Sequence, residues 1–157
     1  MPVKSAGSSR PPKKAPGLRG SFKKRLENER TKNMAFINPT PDQFKQLMAR
    51  EYKGPIVMVN LLKFKPDGGS ASYNKYSEAT RELFLGKNIT RMVYRGHGLM
   101  PVIGEEQWDE IALYEYPSIA AFIEMQRDKQ YQAVVPFRTE ALLDSRLYCT
   151  LPKEEKL

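Results

Sequence analysis

Ile56-Val57-Met58-Val59-Asn60-Leu61-Leu62-Lys63-Phe64 is a run of aliphatic and β-branched side chains interrupted by one amide and one lysine. A short apolar run of this kind, with Gly54-Pro55 before it and Pro66-Asp67-Gly68-Gly69 after it, reads as a buried strand. Period-two counting places Met58, Asn60, Leu62 and Phe64 on one face and Val57, Val59, Leu61 and Lys63 on the other.

Outward from this strand, helices and strands alternate. Upstream, Asn38-Pro39-Thr40-Pro41-Asp42-Gln43 is a helix start: Thr40 caps, Pro41 suits the first turn, and Asp42 complements the helix dipole. Phe44, Leu47 and Met48 follow at helical spacing. Downstream, residues 72–86 read as a helix with Tyr76, Ala79, Thr80 and Leu83 on one face. Residues 89–103 read as a strand broken or bulged around Gly96 and Gly98. After a turn at Gly104-Glu105-Glu106, a third strand runs from Trp108 through Tyr116. Pro117-Ser118 opens a helix carrying Ile119, Phe122, Ile123 and Met125. Residues 129–143 read as another helix, bent or divided at Pro136. Arg146 to Leu151 supplies a last strand.

After the first helix the order is therefore strand–helix–strand–strand–helix–strand. This predicts an α+β, ferredoxin-like βαββαβ domain with an extra N-terminal helix and its main helices on one sheet face. The other face needs cover, and a second copy of the same sheet is the simplest cover. A homodimer is the resulting expectation.

Charge marks where this domain starts. The chain has 157 residues, with 26 Lys and Arg against 18 Asp and Glu, for a net charge of +8. Residues 1–33 hold ten basic and two acidic side chains, a balance of +8, which leaves sixteen of each sign in residues 34–157. The first 33 residues are also rich in Pro, Ser and Gly and poor in large apolar groups, so nothing offsets the entropy of ordering them. They read as a basic, disordered extension, with residues 34–157 as the folded domain. A start upstream of Met34 gives the same pattern. Two other readings of the segment are a tail for nucleic acid or another acidic partner and an organelle transit peptide. The prolines and lysine pairs weaken the second of these.

Counts narrow the chemistry. One cysteine, Cys149, excludes an intramolecular disulfide and a thiolate metal cluster, and suits a reducing, cytoplasmic setting. One histidine, His97, excludes multi-histidine metal sites within the chain. No apolar run approaches the ~20 residues that span a bilayer. No glycine-rich phosphate loop joins a strand to a helix. No metal and no cofactor is implied.

The linked strings Ile37-Asn38-Pro39-Thr40, Val59-Asn60-Leu61-Leu62-Lys63-Phe64, Tyr73…Tyr76, Trp108-Asp109, Tyr116-Pro117-Ser118, Tyr131-Gln132 and Arg138…Ala141-Leu142…Asp144-Ser145-Arg146-Leu147 resemble the domain-of-unknown-function family 1330 (DUF1330) over residues 35–151. The resemblance implies a dimeric α/β-barrel and no established reaction. Cofactor-free monooxygenases, haem-degrading monooxygenases, isomerases and small-molecule sensors share that fold, so the fold does not choose among them. Gly86-Lys87 stands where the family pattern leads one to expect a glycine pair.

Six residues are candidates for a site. Asn60 is an amide within an apolar strand, where it either bonds to neighbouring backbone or points into a sheet–helix pocket. His97, between two glycines, is the side chain suited to proton transfer near neutral pH. Asn60 and His97 are the catalytic candidates. Trp108 is either core or, as in monooxygenase relatives of the fold, a pocket wall opposite Asn60. Arg138, inside an apolar helix, either pairs with Asp144 or Glu140 or clamps a substrate carboxylate. Tyr73 and Tyr76 present hydroxyls to the same pocket or merely pack. The leading expectation is a homodimer that binds a small apolar or aromatic molecule. If it is an enzyme, the reaction is a cofactor-independent oxygenation or isomerisation, with Asn60 stabilising an oxyanion and His97 moving a proton. The alternative is a non-catalytic interaction module whose basic tail binds its partner.

Overall fold

The computed structural model describes residues 35–85 and 89–153. The basic segment 1–33 and Gly86-Lys87 lie outside the described residues. The elements are α1 (Pro41–Met48), β1 (Ile56–Phe64), α2 (Gly69–Thr80) continued by a π turn (Arg81–Leu85), β2 (Arg91–His97), β3 (Glu110–Tyr116), α3 (Ile119–Arg127), α4 (Lys129–Ala141) and β4 (Leu142–Thr150). The four strands form one sheet in the order β2-β3-β1-β4. All three neighbouring pairs are antiparallel. This is the ferredoxin-like α+β arrangement expected from the element order, with β1 in the middle of the sheet.

Local chemistry fixes the helix starts. Thr40 accepts from the Gln43 N–H at 3.2 Å, and the Gln43 side chain accepts from the Thr40 N–H at 2.9 Å, so α1 opens with a reciprocal capping box. Gly68 holds φ +78° just before α2, a left-handed conformation that a Cβ would strain. Ser118 caps α3 by accepting from the Ala121 N–H at 3.1 Å. Asp128 ends α3 and caps α4, accepting from the Gln130 and Tyr131 N–H groups at 2.8 and 2.9 Å. One residue thus turns the chain between two helices. Pro136 sits within α4 without dividing it.

Three of the four strands differ from the sequence reading. β3 begins at Glu110, not Trp108, because the Asp109 N–H donates to the Leu62 carbonyl at 2.8 Å and its carboxylate accepts from the Phe64 N–H at 2.7 Å. Asp109 thereby caps the end of β1. The irregularity in β2 falls between Met92 and Tyr94, while Gly96 stays in register opposite Ile111. β2 ends at His97, where a Cβ on Gly98 would overlap the Trp108 carbonyl. β4 starts at Leu142, with a register shift opposite Lys63 and Phe64.

Ile56, Met58 and Leu62 from β1 are fully or almost fully buried beneath the helices. Ile56 and Met58 join Tyr116, Ile119, Phe122, Ile123, Met125, Phe84 and Tyr131 in the main core. Leu62, Tyr73, Ala141 and Leu142 form a smaller core, and Tyr76 packs against both. On the opposite face, Val57, Val59, Leu61, Ile111 and Leu113 are half-buried, and Tyr148 keeps 72% of its surface. No described element covers that face. Among the described residues, no helix is long and apolar enough to cross a membrane.

Candidate functional site

Between the sheet and its helices lies a cleft of about 1200 Å³. Its floor is formed by Met58 and Asn60 of β1, Tyr114 and Tyr116 of β3, Arg95 of β2, and Leu147 and Cys149 of β4. Its roof is α2 with Tyr73, Tyr76, Ser77 and Thr80, and α4 with Tyr131, Val135 and Arg138. The spacing of Tyr73, Tyr76, Ser77 and Thr80 is that of one helix face, and Tyr131, Val135 and Arg138 follow the same rule on α4.

Asn60 lines the cleft. Its amide nitrogen donates to the Met58 carbonyl at 3.3 Å and to the Ala112 carbonyl at 3.4 Å. These contacts fix the orientation of the amide, because a flipped Asn would set its oxygen against two carbonyl oxygens. The amide nitrogen is therefore turned toward strand backbone, and the side-chain oxygen is the group left to meet a ligand. An oxyanion-stabilising role, as expected from sequence, calls for a donor, and the Asn60 amide nitrogen is directed at the Met58 and Ala112 carbonyls.

Tyr73 is 96% buried, and its hydroxyl has no hydrogen-bond partner among the described residues. Its ring stacks at a tilt on Phe64 and Tyr76, with centroids 5.2 and 5.4 Å away, and the Arg95 guanidinium carbon lies 5.8 Å from its centroid. Tyr76 shares a 3.0 Å hydroxyl contact with Tyr131, which also accepts from the Gln126 amide at 3.2 Å. Burial pushes the Tyr73 hydroxyl well above the usual phenol range, helped by Tyr114 and Glu110 and opposed by Arg138 and Arg95. Burial and the neighbouring Tyr131 raise Tyr76 in the same direction. At neutral pH both phenols are intact O–H groups.

Arg138 does not form the ion pair with Asp144 or Glu140 weighed above. Asp144 is occupied by the Phe36 and Ser145 N–H groups and by Arg146, at 2.7, 2.9 and 2.8 Å. Arg138 is 91% buried and donates to the Ile37 carbonyl at 2.6 Å. Together with the Phe36 N–H bond to Asp144 and the 2.6 Å bond from the Ser145 hydroxyl to the Phe36 carbonyl, it pins the segment leading into α1.

The structure thus brings Asn60, Tyr73, Tyr76 and Arg138 together and leaves two candidates outside. Trp108 precedes β3, so strand parity does not govern its side chain. Instead, Arg146 lies between Phe36 and Trp108, with its guanidinium carbon 4.9 and 5.0 Å from the two centroids, and only Phe36 and Arg146 of the three line the cleft. His97 is exposed at the end of the edge strand β2 and does not line the cleft.

Arg95, which lines the cleft, and Glu110, which holds it there, are residues that sequence reasoning missed. They form a two-pronged ion pair, Nε to Oε1 at 2.7 Å and Nη2 to Oε2 at 3.0 Å, and Arg95 Nη1 donates to Ser77 at 2.7 Å. The signal was present in the parity of β3, where Glu110 shares a face with Ala112, Tyr114 and Tyr116. An inward carboxylate there needs a cation on the adjacent strand.

The chain resembles proteins of known structure. A Rhodopseudomonas palustris protein of unknown function is 34% identical, with a TM-score of 0.71, and the match covers 78% of this chain and 100% of that one. The chain belongs to the family of that protein. The methylated form of the same bacterial protein matches at 33% identity and a TM-score of 0.70 over 78% of this chain and 98% of that one. More distant members of the fold include a hydroxynitrile lyase from Passiflora edulis, with a TM-score of 0.52 and 12% identity over 66% of this chain and 98% of the lyase. A protein from Arabidopsis thaliana has a TM-score of 0.55 and 13% identity over 65% of this chain and 99% of that one. No protein-family model matches the chain. No curated protein matches it either. These relatives show the fold.

Proposed function

We propose that this chain is a small-molecule-binding protein of the domain-of-unknown-function family 1330 type, acting as a homodimer and holding an apolar or aromatic ligand in the cleft between sheet and helices. The observation that carries the reading is the cleft itself. It is walled by Tyr73, Tyr76, Tyr114 and Tyr131, with the acceptor oxygen of Asn60 in its floor. Aromatic walls with a few fixed polar groups are the usual make-up of a small-molecule pocket. The dimer draws support from the half-buried apolar sheet face carrying Val57, Val59, Leu61, Ile111 and Leu113.

Binding is the form of this reading that the geometry supports best. Its catalytic form, cofactor-independent oxygenation or isomerisation, relies on Asn60 as a donor and on His97 beside the ligand, and neither matches the positions described above. Calorimetric titration with 2-naphthol, a neutral aromatic probe, tests binding. The wild-type chain takes up the probe, and Thr80→Phe, which fills the cleft from α2, weakens uptake by roughly tenfold or more. Equal uptake by both would place the probe elsewhere. Oxygen uptake with simple phenols, lost in Asn60→Ala, would restore the catalytic form.

A further inference from the structure

The charges around the cleft all have one sign. Among the described residues, Arg50, Arg81, Arg95, Arg138 and Arg146 line it, and no aspartate or glutamate does. Two of these arginines are neutralised in place. Arg95 is held by Glu110. Arg146 is held by Asp144 and Glu106. Arg50 and Arg81 are exposed, where water screens them.

Arg138 differs from the other four. It is 91% buried, and among the described residues no carboxylate lies within ion-pair distance of it. Its one hydrogen bond among the described residues, from Nη1 to the Ile37 carbonyl, engages one edge of the guanidinium. The remaining N–H groups keep contact with the cleft, since no fully enclosed side-chain nitrogen in the described structure lacks a partner. A guanidinium removed from water and without a counter-ion is costly, and a ligand anion is the group that relieves the cost. Tyr73, also more than nine-tenths buried as a residue, lines the same cleft; its hydroxyl has no partner among the described residues and is therefore not fully enclosed. Tyr73 and Tyr76 on α2 and Arg138 on α4 line the same cleft, and the two helices pack against each other, which places the three groups in one neighbourhood.

From this pairing we infer that the ligand is an aromatic carboxylate, its anionic group seated on the open edge of Arg138 and on the Tyr73 hydroxyl, its ring among Tyr76, Tyr114 and Tyr131. The inference rests on the reading of the cleft as a binding site and adds the charge and the anchor of the ligand. The Arg95–Glu110 pair beneath Tyr73 keeps a second guanidinium from competing for the anion.

The test compares 2-naphthoate with 2-naphthamide, which has the same ring system without the charge, by calorimetric titration of the full chain. Wild type prefers naphthoate by roughly tenfold or more, the size of a charge-assisted hydrogen bond in a desolvated site. Arg138→Gln removes the preference while still binding the amide. Arg138→Lys restores part of it. Tyr73→Phe keeps the ring and lowers naphthoate affinity severalfold without changing that of the amide, and it reports on the anchor even where Arg138→Gln unfolds. Equal affinity of wild type for naphthoate and naphthamide, with naphthol still bound, overturns the inference and leaves the binding reading standing. Failure of naphthoate, naphthamide and naphthol alike overturns both.

Discussion

Arg95 and Glu110 are diagonal neighbours across the β2–β3 pair, joined by two hydrogen bonds of 2.7 and 3.0 Å, with Arg95 reaching on to Ser77 of α2 at 2.7 Å. The pair therefore ties the edge of the sheet to the helix that roofs the cleft. Glu110 is 5% exposed. Removing it leaves a half-buried guanidinium without its counter-ion, so Glu110→Ala costs about 2 kcal/mol in urea unfolding. The double replacement Arg95→Met, Glu110→Met recovers much of that loss, because it removes both charges together. A double variant no better than Glu110→Ala would show that the pair does not act as a unit.

The helix junction at Asp128 serves the site as well as the fold. Its carboxylate caps α4 on two N–H groups, and α4 carries both Tyr131 and Arg138. Asp128→Ala is expected to lower stability by about 1 kcal/mol, the usual value of a helix cap. Loss of the cap also loosens the first turn that holds Tyr131 against Tyr76. Naphthol affinity falls in this variant, whereas Thr40→Ala, at the start of α1, leaves it nearly unchanged.

The buried phenols set the alkaline limit. Tyr73, Tyr76 and Tyr116 are each raised, chiefly by burial, above the ordinary value of 10.0. In the unfolded chain these groups ionise near pH 10, while in the folded chain they hold their protons. Their contribution to stability is complete below pH 10 and declines as pH rises through the gap between the unfolded and folded values. Phenolate absorbance of the folded chain thus falls short of all eight tyrosines above pH 10. The remainder appears together with loss of helical circular dichroism.

Asp144 governs the acid side. Burial works to raise its carboxyl, but the Phe36 N–H, Arg146 and the Ser145 N–H outweigh burial and hold it below its ordinary value. Its contribution is present above the unfolded value and is lost as pH falls through the folded one. Asp144→Asn is expected to flatten the acid limb of a stability–pH profile. An unchanged acid limb would assign that limb to other carboxylates.

The sequence reading succeeded where one residue type at one spacing allows few outcomes. The run Ile56–Phe64 had to be an inner strand, and Thr40-Pro41 and Ser118 had to start helices. Its parity also put Asn60 on the helix side. Trp108 failed because parity holds only while the chain stays extended, and Asp109 turns it by bonding to the end of β1. The Arg138 partner was not legible, because the Ile37 carbonyl is a backbone group 101 residues away and carries no side-chain signature. The same is true of the Tyr76–Tyr131 contact, which depends on how two helices pack.

The open sheet face bears on assembly. Val59 and Leu113 are cross-strand partners on that face, half-buried with no described element above them. Sedimentation of the wild-type chain at micromolar concentration should give twice the chain mass. Val59→Lys with Leu113→Lys should give single chains with unchanged helical circular dichroism, since neither side chain enters the core under the helices. A wild-type chain that sediments as a monomer would remove the dimer from the account.

The central claim is that the cleft between sheet and helices is the binding site. Nitrogen-15 nuclear magnetic resonance of the labelled chain, titrated with 2-naphthol, tests it most directly. Saturable shifts confined to the backbone around Asn60, Tyr73, Tyr76, Tyr131 and Arg138 are expected. Shifts centred on Val59, Leu113 and Tyr148, or none at saturating probe, would contradict it.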